Sequence, residues 1–190
     1  MPLIQQIIST CEWDTVKVLF FSGNVFDQFI YYSHFTPLLG AIIVGFFVFF
    51  KDRKSLLSKI LFFITLTFSS WVIFDLILWA TNRPSHTMFF WTLQVIIEPL
   101  IYAACLYFTQ VFITGEDTQL RSKVIIGICL LPTLILAPTR FALIGFDLTN
   151  CDREAIEGPL TQYGYLLEIV FAIWIVLFGI RSYQIGRAHV

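Results

Sequence analysis

The chain has 190 residues, of which 57% are hydrophobic and 13% charged. A typical soluble domain carries about 25% charged residues. With 33 aromatic side chains, a mean hydropathy of +0.79 and a net charge of -1, the composition excludes a disordered tail, a nucleic-acid binder and a disulfide scaffold. An integral, all-α membrane protein remains.

An α-helix needs about 20 apolar residues to cross a hydrocarbon core of about 30 Å. The sequence predicts five such spans, at about residues 31–50, 60–79, 88–113, 124–139 and 163–180. The first is uncharged, and the second, third and fifth hold one acid each: Asp75, Glu98 and Glu168. The fourth is short and carries Pro132 and Pro138, which remove backbone donors. Ahead of them, residues 1–28 lack the basic start and cleavage site of a signal peptide. They read instead as an interfacial cap, because Leu3–Ile8 and Val16–Phe21 are too short to span.

The connections predict an orientation. Lys51, Arg53, Lys54, Lys59, Arg121, Lys123 and Arg181 fall at one end of the spans, and seven acids, among them Asp147 and Glu157, at the other. Basic residues are retained on the cytoplasmic side, so the N-terminus is expected outside. Tyr32, Trp79, Trp91, Tyr163 and Tyr165 fit an outer aromatic belt. The longest connection, residues 140–162, is then outside, and its Asp147, Asn150, Asp152, Gly158 and Pro159 predict turns.

Chemistry-bearing motifs are few. The sequence has no glycine-rich phosphate loop, HExxH or CxxC, so no cofactor, metal or catalytic residue is expected. His34 and His86 near the outer surface offer two ligands for a shared metal, but two solvated interface residues are the plainer reading. Cys105 and Cys129 lie inside spans. Cys11 and Cys151 both fall outside, where they either form a disulfide between the cap and the long loop or remain two free thiols.

The acids in the spans are the informative residues, because ionisable groups there are costly and usually face a bundle interior or a wet cavity. Asp75 and Glu168 are expected roughly 6–8 Å from the outer end of their spans, and Glu98 about 15 Å deep. Together with Arg140 as counter-ion they form a candidate outward-facing pocket for a ligand, proton or cation. The plainer alternative makes Asp75 and Glu168 interfacial hydrogen-bonding groups and Glu98 a packed, protonated one. Pro99 directly follows Glu98 and frees the carbonyl of Val95, which makes it a candidate hinge. Ala41 and Gly45 form a small-xxx-small pair suited to close helix contact.

The runs Lys59–Phe63, Trp71 to Leu78, Phe90–Gln94 and Pro99–Tyr102 to Phe108 give residues 30–184 a resemblance to the N-terminal seven-helix sensor region of membrane histidine kinases. That resemblance implies a prokaryotic plasma-membrane location, an outside N-terminus and a cytoplasmic signalling domain beyond the helices. It also implies homodimers formed through the full-length protein. It carries over no catalytic residue, and only five of seven helices are present. Ile185–Val190 resembles translated sequencing-adapter read-through, so the chain is expected to be a non-catalytic fragment ending at Gln184. The expected function is a sensory domain that detects an external or membrane stimulus, with the bilayer and a small ligand or proton as partners and no nucleic acid. The alternatives are a small proton- or cation-coupled transporter and, more weakly, a membrane-embedded enzyme.

Overall fold

The computed structural model describes residues 28–80, 84–147 and 154–188. Among the described residues five helices run in chain order: α1 (Gln28–Lys51), α2 (Leu56–Ala80), α3 (Pro84–Thr114), α4 (Leu120–Leu136) and α5 (Pro159–Ala188). Between α4 and α5 stand two short strands, β1 (Leu143–Asp147) and β2 (Glu154–Glu157), paired antiparallel with a register shift between Leu143 and Gly145. The expected helical bundle is present, with a β-hairpin where turns alone were expected. Its formation is local: Gly145 to Asp147 pair with Ile156 back to Glu154.

Among the described residues four helices are long and apolar enough to cross a membrane: Tyr32–Lys51, Leu56–Trp79, Ser85–Thr114 and Pro159–Gln184. The fourth expected span, 124–139, is not among them. Its helix ends at Leu136, and the chain turns through Pro138 toward β1. From Val124 the apolar part of α4 is only about 20 Å long, less than a hydrocarbon core.

The helices carry apolar residues all round, the pattern of helices solvated by lipid or by one another. Leu39, Ile43, Phe47, Ile128, Ile173 and Leu177 all point outward. Hydroxyl residues within the helices bond back to their own backbone: Thr67 to Phe63, Ser69 to Thr65 and Thr92 to Met88, each at 2.7 Å. This satisfies a polar group that lipid cannot.

Side-chain contacts fix the packing. Phe46 and Phe49 near the end of α1 meet Phe62 near the start of α2, with ring centroids 5.2 and 4.6 Å apart. The small-xxx-small pair is half realised: Gly45 is buried against Thr65. A Cβ on Gly45 would stand 3.0 Å from the Thr65 Cβ and closer still to its hydroxyl. α3 is the hub, touching α2, α4 and α5. Ala103 and Leu106 of α3 share a core with Ile126 and Leu130 of α4 and with Leu167 and Phe171 of α5. A second core joins Val95, Ala137, Ala142, Leu143 and Leu160. These pairings run α3 parallel to α5 and antiparallel to α2 and α4. One end of the bundle therefore carries the seven basic residues, and the other carries the hairpin.

Two joints hold the shorter elements. At the basic end, Gly115 (φ 71°) closes α3 in the left-handed conformation that glycine accepts, with its N–H donating to Val111 O at 2.9 Å. At the hairpin end, Gly158 N and Thr161 Oγ1 both donate to Ala142 O at 2.7 Å, and Leu160 N donates to Phe141 O at 2.8 Å. A Cβ on Gly158 would collide with the Phe141 carbonyl, so the chain entering α5 lies directly on the backbone leaving α4.

Candidate functional site

Antiparallel packing of α2 on α3 sets polar side chains of the two helices opposite each other at two levels, one helical turn apart. Trp71 Nε1 donates to Glu98 Oε1 at 2.8 Å. One turn nearer the hairpin end, Gln94 Nε2 donates to Asp75 Oδ1 at 3.2 Å. The other Asp75 oxygen, Oδ2, lies 2.7 Å from His34 Nε2 of α1. The other nitrogen of the ring, Nδ1, stands 3.2 Å from Ser33 Oγ. His34, Asp75, Trp71 and Glu98 are all half-buried, and Gln94 is buried.

The polar chain continues into α5 and the hairpin. Glu98 is within electrostatic reach of Asp75 and Glu157, and Glu168 is within reach of Glu98. Tyr165 donates its hydroxyl to Glu157 Oε1 at 2.6 Å. Glu168 Oε1 is shielded from solvent without a hydrogen-bond partner among the described residues. Hydrogen bonds thus link α1, α2 and α3 through Asp75 and Glu98, and separately α5 and β2 through Glu157.

The three acids expected from the sequence are brought into one neighbourhood. Arg140, expected as their counter-ion, stands exposed in the turn after α4 and forms no ion pair with them among the described residues. Pro99 is fully buried, and α3 continues unbroken through it. Cys11 and Cys151, the candidate disulfide, lie outside the described residues, while Cys105 and Cys129 are free. His86 is exposed near the start of α3. Among the described residues no group of three or more His, Cys, Asp or Glu side chains is arranged to hold a metal.

Sequence reasoning weighed His34 only as a metal ligand or a solvated interface residue, not as a partner of Asp75, and gave Trp71 and Gln94 no polar role. For His34 a signal existed: it lies as close to the outer end of its span as Asp75 does to the outer end of the next. Trp71 and Gln94 follow from the α2–α3 register, which hydropathy does not fix.

At the basic end a separate cluster ties Tyr107, in the last turns of the α3 span, to Asp117 and Lys123 beyond it. Tyr107 donates to Asp117 Oδ1 and Lys123 Nζ to Asp117 Oδ2, both at 2.7 Å. The Lys123 ammonium lies 5.3 Å from the Tyr107 ring centroid. The hydrogen bonds from Lys123 and Tyr107 hold the Asp117 carboxyl below its ordinary range. The bond to Asp117 raises the Lys123 ammonium.

No family model matches this chain, and neither the curated proteins nor the solved structures contain a significant match.

Proposed function

We propose that this chain is a membrane-embedded sensory domain with its N-terminus and hairpin outside, set in a prokaryotic plasma membrane. It detects a small ligand or proton at the hairpin end and passes a helix displacement to the basic end. The observation that carries this reading is the pair of hydrogen-bonded polar contacts one turn apart, His34–Asp75–Gln94 and Trp71–Glu98, in the apolar interior between α1, α2 and α3. These contacts join three helices between the hairpin end and the middle of the spans, and intramembrane acids are retained at a cost in stability that function explains. A stimulus that binds one helix arrangement better than another shifts the population toward it. The resemblance to the seven-helix sensor region of histidine kinases supports an output of the same kind, in which the shift biases a cytoplasmic signalling domain. On this reading α4 is a fifth, shorter membrane helix completed by the turn at Pro138.

A transport reading has one specific observation in its favour. The shielded, unpartnered Glu168 oxygen beside Glu98 is a place where a proton or cation could rest in transit. Reconstitution in liposomes separates the two. For a sensor, the wild type carries no proton or cation flux, and Glu98→Gln changes the spacing of labels on α3 and α5. For a transporter, flux is present in the wild type and falls at least tenfold in Glu98→Gln.

A further inference from the structure

We infer that the turn between α1 and α2 is a docking site for an anionic phospholipid headgroup, held through its phosphate by Lys51, Arg53, Lys54 and Lys59. The inference goes beyond the sensory reading and applies to a sensor and a transporter alike.

Residues 51–59 hold four basic side chains and a single acid, Asp52. All five are exposed. Asp52 is turned onto its own backbone, where Oδ1 accepts from Lys54 N at 3.3 Å and from Ser55 N at 3.1 Å. Among the described residues none of the four cations forms an ion pair. The other connection at this end is balanced differently. Glu116 and Asp117 accompany Arg121 and Lys123 there, and Lys123 is paired with Asp117 at 2.7 Å. Arg181 is a single charge on α5. Uncompensated positive charge at the basic end is therefore concentrated in the α1–α2 turn.

Depth selects a lipid over a dissolved anion. The α1 span closes at Lys51 and the α2 span opens at Leu56, so the charges of so short a turn stay at the bilayer surface. Lys59 lies one turn inside the α2 span and is exposed there. From that depth a lysine stem runs along apolar surface and delivers its ammonium to the headgroup layer. The Arg53 guanidinium lies 4.6 Å from the Phe50 ring centroid, and Phe50 is an exposed residue in the last turn of α1. A guanidinium stacked on a ring still presents its N–H groups, and that planar fork matches a phosphate bidentately. The N-terminus of α2 adds its partial positive charge. Apolar ring and cation thus make one surface. A molecule that carries an acyl chain next to a phosphate covers both parts of it, and inorganic phosphate covers only one.

The test is native mass spectrometry of the full chain, released from detergent micelles that hold equal amounts of phosphatidylglycerol and phosphatidylcholine with the same acyl chains. The wild type should retain the anionic lipid over the zwitterionic one by about tenfold or more. A basic residue beside an anionic membrane surface is worth about a fivefold preference, so Arg53→Gln and Lys59→Gln should each lower the ratio by about that factor. Both positions are exposed, and glutamine leaves the packing of α1 on α2 untouched. Arg121→Gln combined with Arg181→Gln removes two charges from the same end and should change the ratio by less than about twofold, against the fivefold per residue expected in the turn. Inorganic phosphate in excess should not displace the lipid. Equal retention of the two lipids by the wild type, or a ratio unaltered in Arg53→Gln and Lys59→Gln, overturns the inference. An equal loss in the Arg121→Gln, Arg181→Gln chain overturns it as well, because the preference would then belong to the net charge of the whole end. Displacement by inorganic phosphate overturns it by making the turn a site for a dissolved anion.

Discussion

Trp71 bonds an indole N–H to a carboxylate inside a helix pair. Removing one partner of a buried hydrogen bond leaves the other unsatisfied, at about 1–3 kcal/mol. Trp71→Phe retains most of the ring's packing but no donor, so it should lower stability by about that amount. Unfolding in mixed detergent, compared with the wild type, measures the difference. The carboxyls were legible because charge inside an apolar run is conspicuous. Their partners were not: a tryptophan or a glutamine in such a run has no distinguishing mark until a neighbouring helix is set beside it. His34 falls between these cases, since equal depth in adjacent antiparallel spans already places it opposite Asp75.

Among the elements, the α1–α2 contact depends on the absence of a side chain at Gly45. An added methyl must displace Thr65, and overpacking of this kind costs about 1–3 kcal/mol. Gly45→Ala should be destabilising by that order, and Thr65→Ala in the same chain should restore most of the loss. A double-mutant cycle on helix association reads the coupling directly. The pattern Ala41-xxx-Gly45 announced a close approach in the sequence. The hairpin was not announced, because Leu143–Asp147 has neither strict alternation nor a two-residue Asn-Gly or Asp-Gly turn leading to β2. Its strands are fastened by backbone bonds among Phe141, Ala142 and the start of α5, which no side-chain pattern advertises. The short fourth helix was misjudged at its C-terminal end for a related reason. Apolar residues continue to Ala137, but the chain has already turned.

For the whole molecule, α4 is held by one face of its apolar core and by the Tyr107–Asp117–Lys123 cluster at its root. Asp117→Asn should weaken that root, seen as faster amide exchange in residues 120–136 than in α2 or α3. The sign of its pH dependence follows from the two groups. The lowered Asp117 carboxyl keeps the tie complete above the ordinary carboxyl value, about 3.9, and loses it only as pH falls through the lower folded-state value. The raised Lys123 ammonium keeps it until pH climbs past the ordinary lysine value, about 10.4. Between pH 5 and 8 the Asp117–Lys123 tie is therefore constant.

The two levels of polar contact between α2 and α3 also make sliding directional. If α3 moved one turn toward the hairpin, about 5.4 Å, Glu98 would leave Trp71 and arrive opposite Asp75. Two carboxyl groups would then meet, an arrangement that like charge forbids unless they share a proton. A move the other way brings Gln94 beside Trp71, whose N–H a neutral amide oxygen can accept, and Glu98 beside the hydroxyl-bearing Thr67. Sliding α3 toward the hairpin is therefore the harder direction, because it sets one carboxyl group against another.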